Sequence, residues 1–288
     1  MAFVSFRRPD GTPSYGRVAG DRVHDCGAVS GAPADLKAAI AAGSLDTLSD
    51  GPALAFTDIL LLPVIPNPGK ILCVGHNYES HRQETGRAKV EHPSIFTRFA
   101  DTLIADGQPI VRPTVSTNLD FEGELAIVIG PGKNGGGGGG RAIAEEDALD
   151  HIAGYACFND ASIRDWQWHT TQFAPGKNFP GTGAFGPTLM TPDEVGDLAD
   201  VHVTTRLNGA IVQDQPIRDM IFPLAKIIAY VSAFTPLSPG DVIATGTPGG
   251  VGAKRTPPLW MKAGDRIEIA IGPVGTLTNH VSDENHPG

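Results

Sequence analysis

Leu119-Asp120-Phe121-Glu122-Gly123-Glu124-Leu125-Ala126-Ile127-Val128-Ile129-Gly130 is the stretch on which the reading of this chain turns. Its second half is an unbroken apolar run closed by glycine, the pattern of a buried strand. Its first half carries acids where a buried strand should have none. Side chains alternate faces along a strand, so Glu122 and Glu124 point the same way. Two carboxylates about 4 Å apart repel by roughly 4 kcal/mol at an effective dielectric of ~20. Something must compensate: solvent, a basic partner or a metal ion. Two readings are open from this segment alone. One is a solvated strand end; the other is a pair of ligands for a hard cation such as Mg²⁺ or Mn²⁺.

The chain has 288 residues, enough for one large domain or a large one with a small appendage. An apolar fraction of 41% supports a substantial core, and the 36 Gly and 24 Pro favour many short strands over long helices. The net charge of −10 gives a nucleic-acid partner no electrostatic footprint. An anionic substrate would need local help, which a bound cation can give. No run of 18 apolar residues suggests a membrane helix, and Met1 to Val18 lacks a basic-then-apolar signal pattern. Cys26, Cys73 and Cys157 are widely spaced without a C-x-x-C, and Cys73 and Cys157 fall in apolar runs. They read as buried thiols, and the expected compartment is a reducing cytoplasm.

Along the chain, residues 2–26 read as short strands and Asp35 to Ala42 as a short helix closed by Gly43. Pro63, Pro66 and Pro68 punctuate the sequence, which divides into a small β-rich N-terminal domain, 1–65, and a larger part, 66–288. Ile71 to Gly75 reads as a buried strand running into a polar segment, Tyr78 to Ala88, that suits a short helix. There His81 and Glu84 stand at i and i+3, hence on one face. They read either as a surface pair or as an imidazole oriented by a carboxylate. Thr102 to Pro113 carries a hairpin signal at Asp106-Gly107, and Val201 to Asp214 a stronger one at Asn208-Gly209. Gly135 to Gly140 is a run of glycines without phosphate-binding context, and reads as a flexible surface loop. Ala144 to Ile152 reads as a short amphipathic helix. Gly154 to Phe158 is a buried strand that exits into Asn159-Asp160-Ala161-Ser162-Ile163-Arg164-Asp165-Trp166-Gln167. Ile217 to Phe234 carries a helical apolar stripe. Strand-like Val242 to Ala244 runs into a glycine-rich turn, whose N–H groups and hydroxyls could face a ligand's carboxylate. Arg266 to Ile271 and Thr276 to Val281 form a closing hairpin.

Six segments occur in one order: GHNYESH, FEGELAIVIG, NDASIRDWQ, PGKNF, GDVIATGTPGGVG and GTLTNHV. Over roughly residues 66–281 they resemble the fumarylacetoacetate hydrolase family. The resemblance implies an α+β fold, a mixed and strongly bent β-roll, and a homodimer. It implies that Glu122, Glu124 and Asp160 bind Mg²⁺ or Mn²⁺, and that His81 and Glu84 form a catalytic dyad together with Lys177. Arg164, Gln167 and Thr247 match positions that contact substrate. The glycine run looks like an insertion relative to the family, and Lys177 is placed by its local Gly-Lys-Asn-Phe context. The activity expected first is hydrolysis of a C–C bond in a 1,3-dioxo acid such as an acylpyruvate, in aromatic or amino-acid catabolism. His81 would take a proton from water, with Lys177 and Gln167 facing the oxyanion. The alternatives within the family are isomerisation of a 2-hydroxyhepta-2,4-diene-1,7-dioate type of acid and decarboxylation of oxaloacetate. In each case the partner is a small 2-oxo acid.

Overall fold

The acidic stretch becomes the strand Gly123–Ile129, and every residue in it is buried. Alternate side chains enter two different cores. Leu125, Ile127 and Ile129 share one with Val203, Ile267 and Leu277 of a second sheet and with Ile227 and Val231 of a helix. Ala126 and Val128 share the other with Phe3 and with Leu36 and Ile40 of the short helix Leu36–Ala41. A strand covered on both faces has no polar side to alternate with, which explains the unbroken apolar run. Each large aliphatic side chain buried this way contributes about 1.5–3 kcal/mol relative to exposure. The computed structural model describes residues 1–132 and 140–285.

The fold is α+β and mixed. The large sheet has 12 strands, and its centre runs Gly183–Met190, Ile152–Asp160, Gly123–Ile129, Val242–Ala244, Ile71–Gly75. Most neighbours are antiparallel, but Val242–Ala244 pairs parallel with Ile71–Gly75. A second sheet of five strands packs across it, in the order Ala210–Pro216, His202–Leu207, Arg266–Ile271, Gly275–Asp283, Ile110–Arg112. Residues of the expected N-terminal part continue the large sheet. Ala2–Arg7 pairs with Gly183–Met190 through Ala2 and Met190, and the Ser5 hydroxyl donates to the Val64 carbonyl at 2.8 Å.

Several expected elements form as read. Asp35 caps its helix by accepting from the Ala38 N–H at 2.7 Å, and Gly43 closes it at φ 62°. Asn208 and Gly209, both at positive φ, turn the hairpin between His202–Leu207 and Ala210–Pro216. The three cysteines are buried and free. No helix among the described residues is long and apolar enough to cross a membrane.

Other expectations need correction. Asp106-Gly107 does not turn a hairpin: Leu103–Ile104 pairs with Gly183–Met190, and Ile110–Arg112 with Gly275–Asp283. The turn instead docks on the second sheet, where the Thr278 N–H donates to Asp106 at 2.6 Å and Gly107 N–H to the Thr278 carbonyl at 2.8 Å. The helical stripe from Ile217 is interrupted by Pro223, and the helix spans only Leu224–Phe234. Ala144 to Ile152 forms a 3₁₀ helix, Glu145–His151. The glycine run lies outside the described residues except for Gly140, which exchanges main-chain hydrogen bonds with Leu237 at 2.9 Å.

One side chain fastens the site-bearing segment to this frame. Asn77 is fully buried and donates to the carbonyls of Thr245 and Phe222 at 2.7 and 3.1 Å. Its own carbonyl accepts from the Phe222 N–H at 2.8 Å. Asn77→Ala would leave three buried main-chain groups without partners, each costing about 1–3 kcal/mol. Urea unfolding of the variant should show a loss of about 2–5 kcal/mol. A loss below about 1 kcal/mol would mean that these contacts do not hold the segment.

Candidate active site and metal centre

Sheet register brings the acids together. Glu122 and Glu124 flank Gly123 at the start of one strand, and Asp160 ends its neighbour, Ile152–Asp160. The two strands pair antiparallel with Gly123 opposite Asn159, so their site-facing ends coincide. One carboxylate oxygen from each of the three acids lies within 4.8 Å of the others. All three residues are buried. Three acids so close and so dry require compensating cations.

Buried bases supply part of that compensation. Lys177 Nζ lies 2.8 Å from Glu122 Oε2 and 2.6 Å from Asp160 Oδ2. Arg164 Nη1 reaches Glu122 at 2.6 Å, while its Nε reaches Asp120 at 2.8 Å. Arg98 pairs with Asp160 from behind. Burial pushes the Glu122 carboxyl up, but Lys177 and Arg164 outweigh it and hold it below the ordinary glutamate range. Glu124 goes the other way: burial, then Asp160 and Glu122, push its carboxyl well up. It accepts the Gly246 N–H at 2.8 Å and has no ion pair among the described residues. Oxygen donors only, converging, with one carboxylate lacking a cation, make a set that fits a hard divalent metal. Glu122, Glu124 and Asp160 are the residues that would hold it.

A cavity of about 180 Å³ opens beside these acids, and all the expected site residues except Glu84 and Asp160 line it. Glu84 stands behind His81 on the short helix Glu79–Glu84. Its Oε1 lies 2.6 Å from His81 Nδ1, and its Oε2 accepts the Gly250 N–H at 2.9 Å. This leaves His81 Nε2 as the ring nitrogen available to the cavity. Asp160 is covered by Lys177 and Arg98.

The polar groups are spent in ways their spacing did not reveal. The glycine-rich turn serves the chain's own acids: Gly246 donates to Glu124, Gly250 to Glu84, and Gly252 and Ala253 to Asp120. The Thr247 hydroxyl donates to the Gly123 carbonyl at 3.0 Å and accepts from Gln213 at 2.8 Å. Lys177 directs its ammonium at Glu122, Asp160 Oδ2 and the Asp160 carbonyl. Arg164 differs: Nη2 is buried and has no partner. As Arg164 borders the cavity, that N–H is poised for a ligand oxygen. Gln167 accepts from Arg164 Nη1 at 2.8 Å and keeps its amide beside the cavity.

Some residues of the site were missed in the sequence. Asp120 lies in the opening stretch but had no assigned role; it grips Arg164 and the glycine-rich turn. Arg98 sits in an ordinary-looking strand, Ser94–Arg98, and gave no signal. His76 lies within GHNYESH. It adopts φ 57°, rare for a residue with a side chain, and stacks on His81 with ring centroids 5.1 Å apart. Burial and the neighbouring His81 hold its pKa down at about 3, so it is neutral. Phe173 packs its edge against His76 at 6.0 Å from a loop with no periodic pattern.

Residues 70–282 match the fumarylacetoacetate hydrolase C-terminal family. The chain belongs to the fumarylacetoacetate hydrolase family. It is 40% identical over 230 residues to the mitochondrial oxaloacetate tautomerase fahd2 of Xenopus laevis, covering 79% of this chain and 70% of that one. Among solved structures, a fumarylacetoacetate hydrolase from psychrophilic Exiguobacterium antarcticum superimposes with a TM-score of 0.84 at 33% identity. The match covers 99% of this chain and 100% of that one. A 2-hydroxyhepta-2,4-diene-1,7-dioate isomerase from Mycobacterium marinum gives a TM-score of 0.79 at 29% identity, with the same coverage. The resemblance read in the motifs is thereby shown, and the β-roll fold with it.

The electrostatics make the metal centre testable. Glu124→Gln should lower Mn²⁺ affinity at least about 100-fold, read by calorimetry or by the Mn²⁺ electron spin resonance signal. The metal-free variant should melt close to the unmodified protein, because a neutral amide of the same shape replaces a carboxyl that burial and its acidic neighbours already drive toward its neutral form. Undiminished Mn²⁺ affinity would remove Glu124 from the ligand set.

Proposed function

We propose that this chain is a metal-dependent tautomerase or isomerase of 2-oxo acids, with oxaloacetate, the substrate named for its relatives, as the first candidate. The observation that carries the reading is His81, anchored by Glu84 behind it, on the wall of the cavity that Glu122 and Glu124 line with Asp160 close by. An enzyme that moves a proton between carbon and oxygen needs one group that can both accept and return it. An imidazole with one nitrogen anchored and the other facing the substrate has that capacity.

The reaction consumes no water. In the keto-to-enol direction the C3–H bond breaks, its electron pair becomes the C2=C3 bond, and the carbonyl oxygen gains a proton. His81 Nε2 takes the proton from carbon, Glu84 steadies the resulting imidazolium, and Nε2 returns the proton to the carbonyl oxygen, which has taken up the C=O π pair. Arg164 Nη2 donates to an oxygen of the 2-oxo acid, and the Gln167 amide stands beside it. Mg²⁺ or Mn²⁺ bound at Glu122, Glu124 and Asp160 would act as a Lewis acid that makes the proton next to the carbonyl easier to remove. Lys177 holds Glu122 and Asp160 in a fixed arrangement toward that site.

Hydrolysis of a C–C bond, the first expectation from the sequence, is the second reading. The same His81–Glu84 pair can activate water, and the solved hydrolase of similar fold keeps that chemistry in view. The tautomerase name of the curated relative and the isomerase among the structural neighbours favour proton transfer. A homodimer remains the proposed assembly.

Freshly dissolved enol-oxaloacetate loses ultraviolet absorbance as it converts to the keto form. The Mg²⁺-loaded protein should accelerate this loss and EDTA should abolish the acceleration. His81→Ala should lower the rate about 10²–10⁴-fold. An unchanged rate in His81→Ala would refute the assignment of the base. Acylpyruvate cleavage without any effect on oxaloacetate would move the function to hydrolysis.

A further inference from the structure

The outer end of the cavity differs in charge from its floor. Two cations, Arg87 and Lys254, border it, and neither has an ion pair among the described residues. Each lies over an aromatic ring instead. The Arg87 guanidinium sits 5.3 Å from the centre of Phe173, and Lys254 Nζ 5.7 Å from the centre of Trp168. Such contacts restrain a long side chain while leaving its hydrogen-bond donors open.

Both rings are tied to the inner site. Phe173 packs on His76, and His76 stacks on the His81 of the proton-transfer pair. Trp168 follows Gln167 directly, and its main-chain N–H donates to the Arg164 carbonyl at 3.1 Å. Trp168 is also 53% exposed, an uncommon placement for so large a ring unless the surface is used. The cavity therefore has an inner end read as the 2-oxo acid site and an outer end bordered by two exposed cations, each seated on a ring. Its volume of about 180 Å³ suits a small acid. That is below the roughly 300–1,000 Å³ usual for drug-sized ligands.

We propose that Arg87 and Lys254 form a distal anion subsite that selects 2-oxo acids bearing a second carboxylate. This rests on the reading of the inner end as a 2-oxo acid site. In a 2-oxo diacid the head group meets Arg164 beside the metal that the acid cluster would hold, while the far carboxylate reaches the two rim cations. A monocarboxylic acid gains only the first set of contacts. Restraint by Phe173 and Trp168 lowers the ordering cost of closing two long side chains on the ligand. The unneutralised pair also draws an anion toward the cavity against the net negative charge of the chain.

The test measures binding apart from chemistry. Two ligands without a removable proton at C3 are titrated into the Mg²⁺-loaded protein by calorimetry: 3,3-difluorooxaloacetate, a diacid, and 3,3-dimethyl-2-oxobutanoate, a monoacid. The unmodified protein should prefer the diacid. The double variant Arg87→Gln/Lys254→Gln should reduce the diacid-to-monoacid affinity ratio about tenfold. Arg87→Lys/Lys254→Arg, which keeps both charges, should retain most of the ratio, and raised salt should weaken it in the unmodified protein. A ratio unaffected by charge removal overturns the proposal. So does an equal loss in the charge-keeping pair, which would assign the effect to shape. Neither ligand can enolise, so a reduced ratio supports the subsite even if enol-oxaloacetate conversion is not accelerated. Failure of the tautomerase reading and failure of this one are therefore distinguishable.

Discussion

Buried carboxylates in a net negative arrangement are the constraint on which this molecule depends. Asp120, Glu122, Glu124 and Asp160 are all withdrawn from water at the ends of paired strands. Arg98, Arg164 and Lys177 answer four acids with three bases. The shortfall falls on Glu124, whose carboxyl is driven well up by burial and by its acidic neighbours. Replacing such a cluster with apolar side chains would stabilise many proteins. Its presence at the floor of a cavity is intelligible if the missing positive charge arrives with a metal and serves chemistry there.

The rest of the fold can be read as support for that cluster. The central strand is covered on both faces, which fixes its register, and register decides that Glu122, Glu124 and Asp160 converge. The glycine-rich turn brings main-chain N–H groups to Glu124, Glu84 and Asp120. A side chain at Gly252 would strike the Leu259 carbonyl, so that position requires the close backbone approach only glycine allows. Asn77 couples the dyad-bearing segment to the same turn through the Thr245 carbonyl.

The acids were legible in the sequence because charge inside an apolar run is anomalous and strand alternation is strict. His81 and Glu84 were legible because helical spacing places them together, and their separation of 2.6 Å agrees. The Asn208-Gly209 hairpin was legible because its turn type demands those residues. Asp106-Gly107 misled, since a turn signal states where the chain bends and not which strands flank it. Both neighbouring segments found partners far along the sequence. Pro223 shortened a helix that apolar spacing alone extended to Ile217. Arg98, His76 and the rim residues Arg87, Phe173, Trp168 and Lys254 had no readable pattern, because tertiary packing alone joins them. The roles of Lys177 and Thr247 could not be read from type, since what matters is which partners already occupy their donors.

Proton transfer next to the carbonyl is the central chemical claim, and carbon–deuterium exchange reads it most directly. Oxaloacetate in D₂O can be followed by proton magnetic resonance with the Mg²⁺-loaded protein, with the metal-free protein and without protein. The account predicts that the loaded protein speeds the loss of the C3 proton signal while oxaloacetate itself persists. It would be contradicted by exchange no faster than in the protein-free solution, or by loss of signal that tracks breakdown of the acid instead of deuterium uptake.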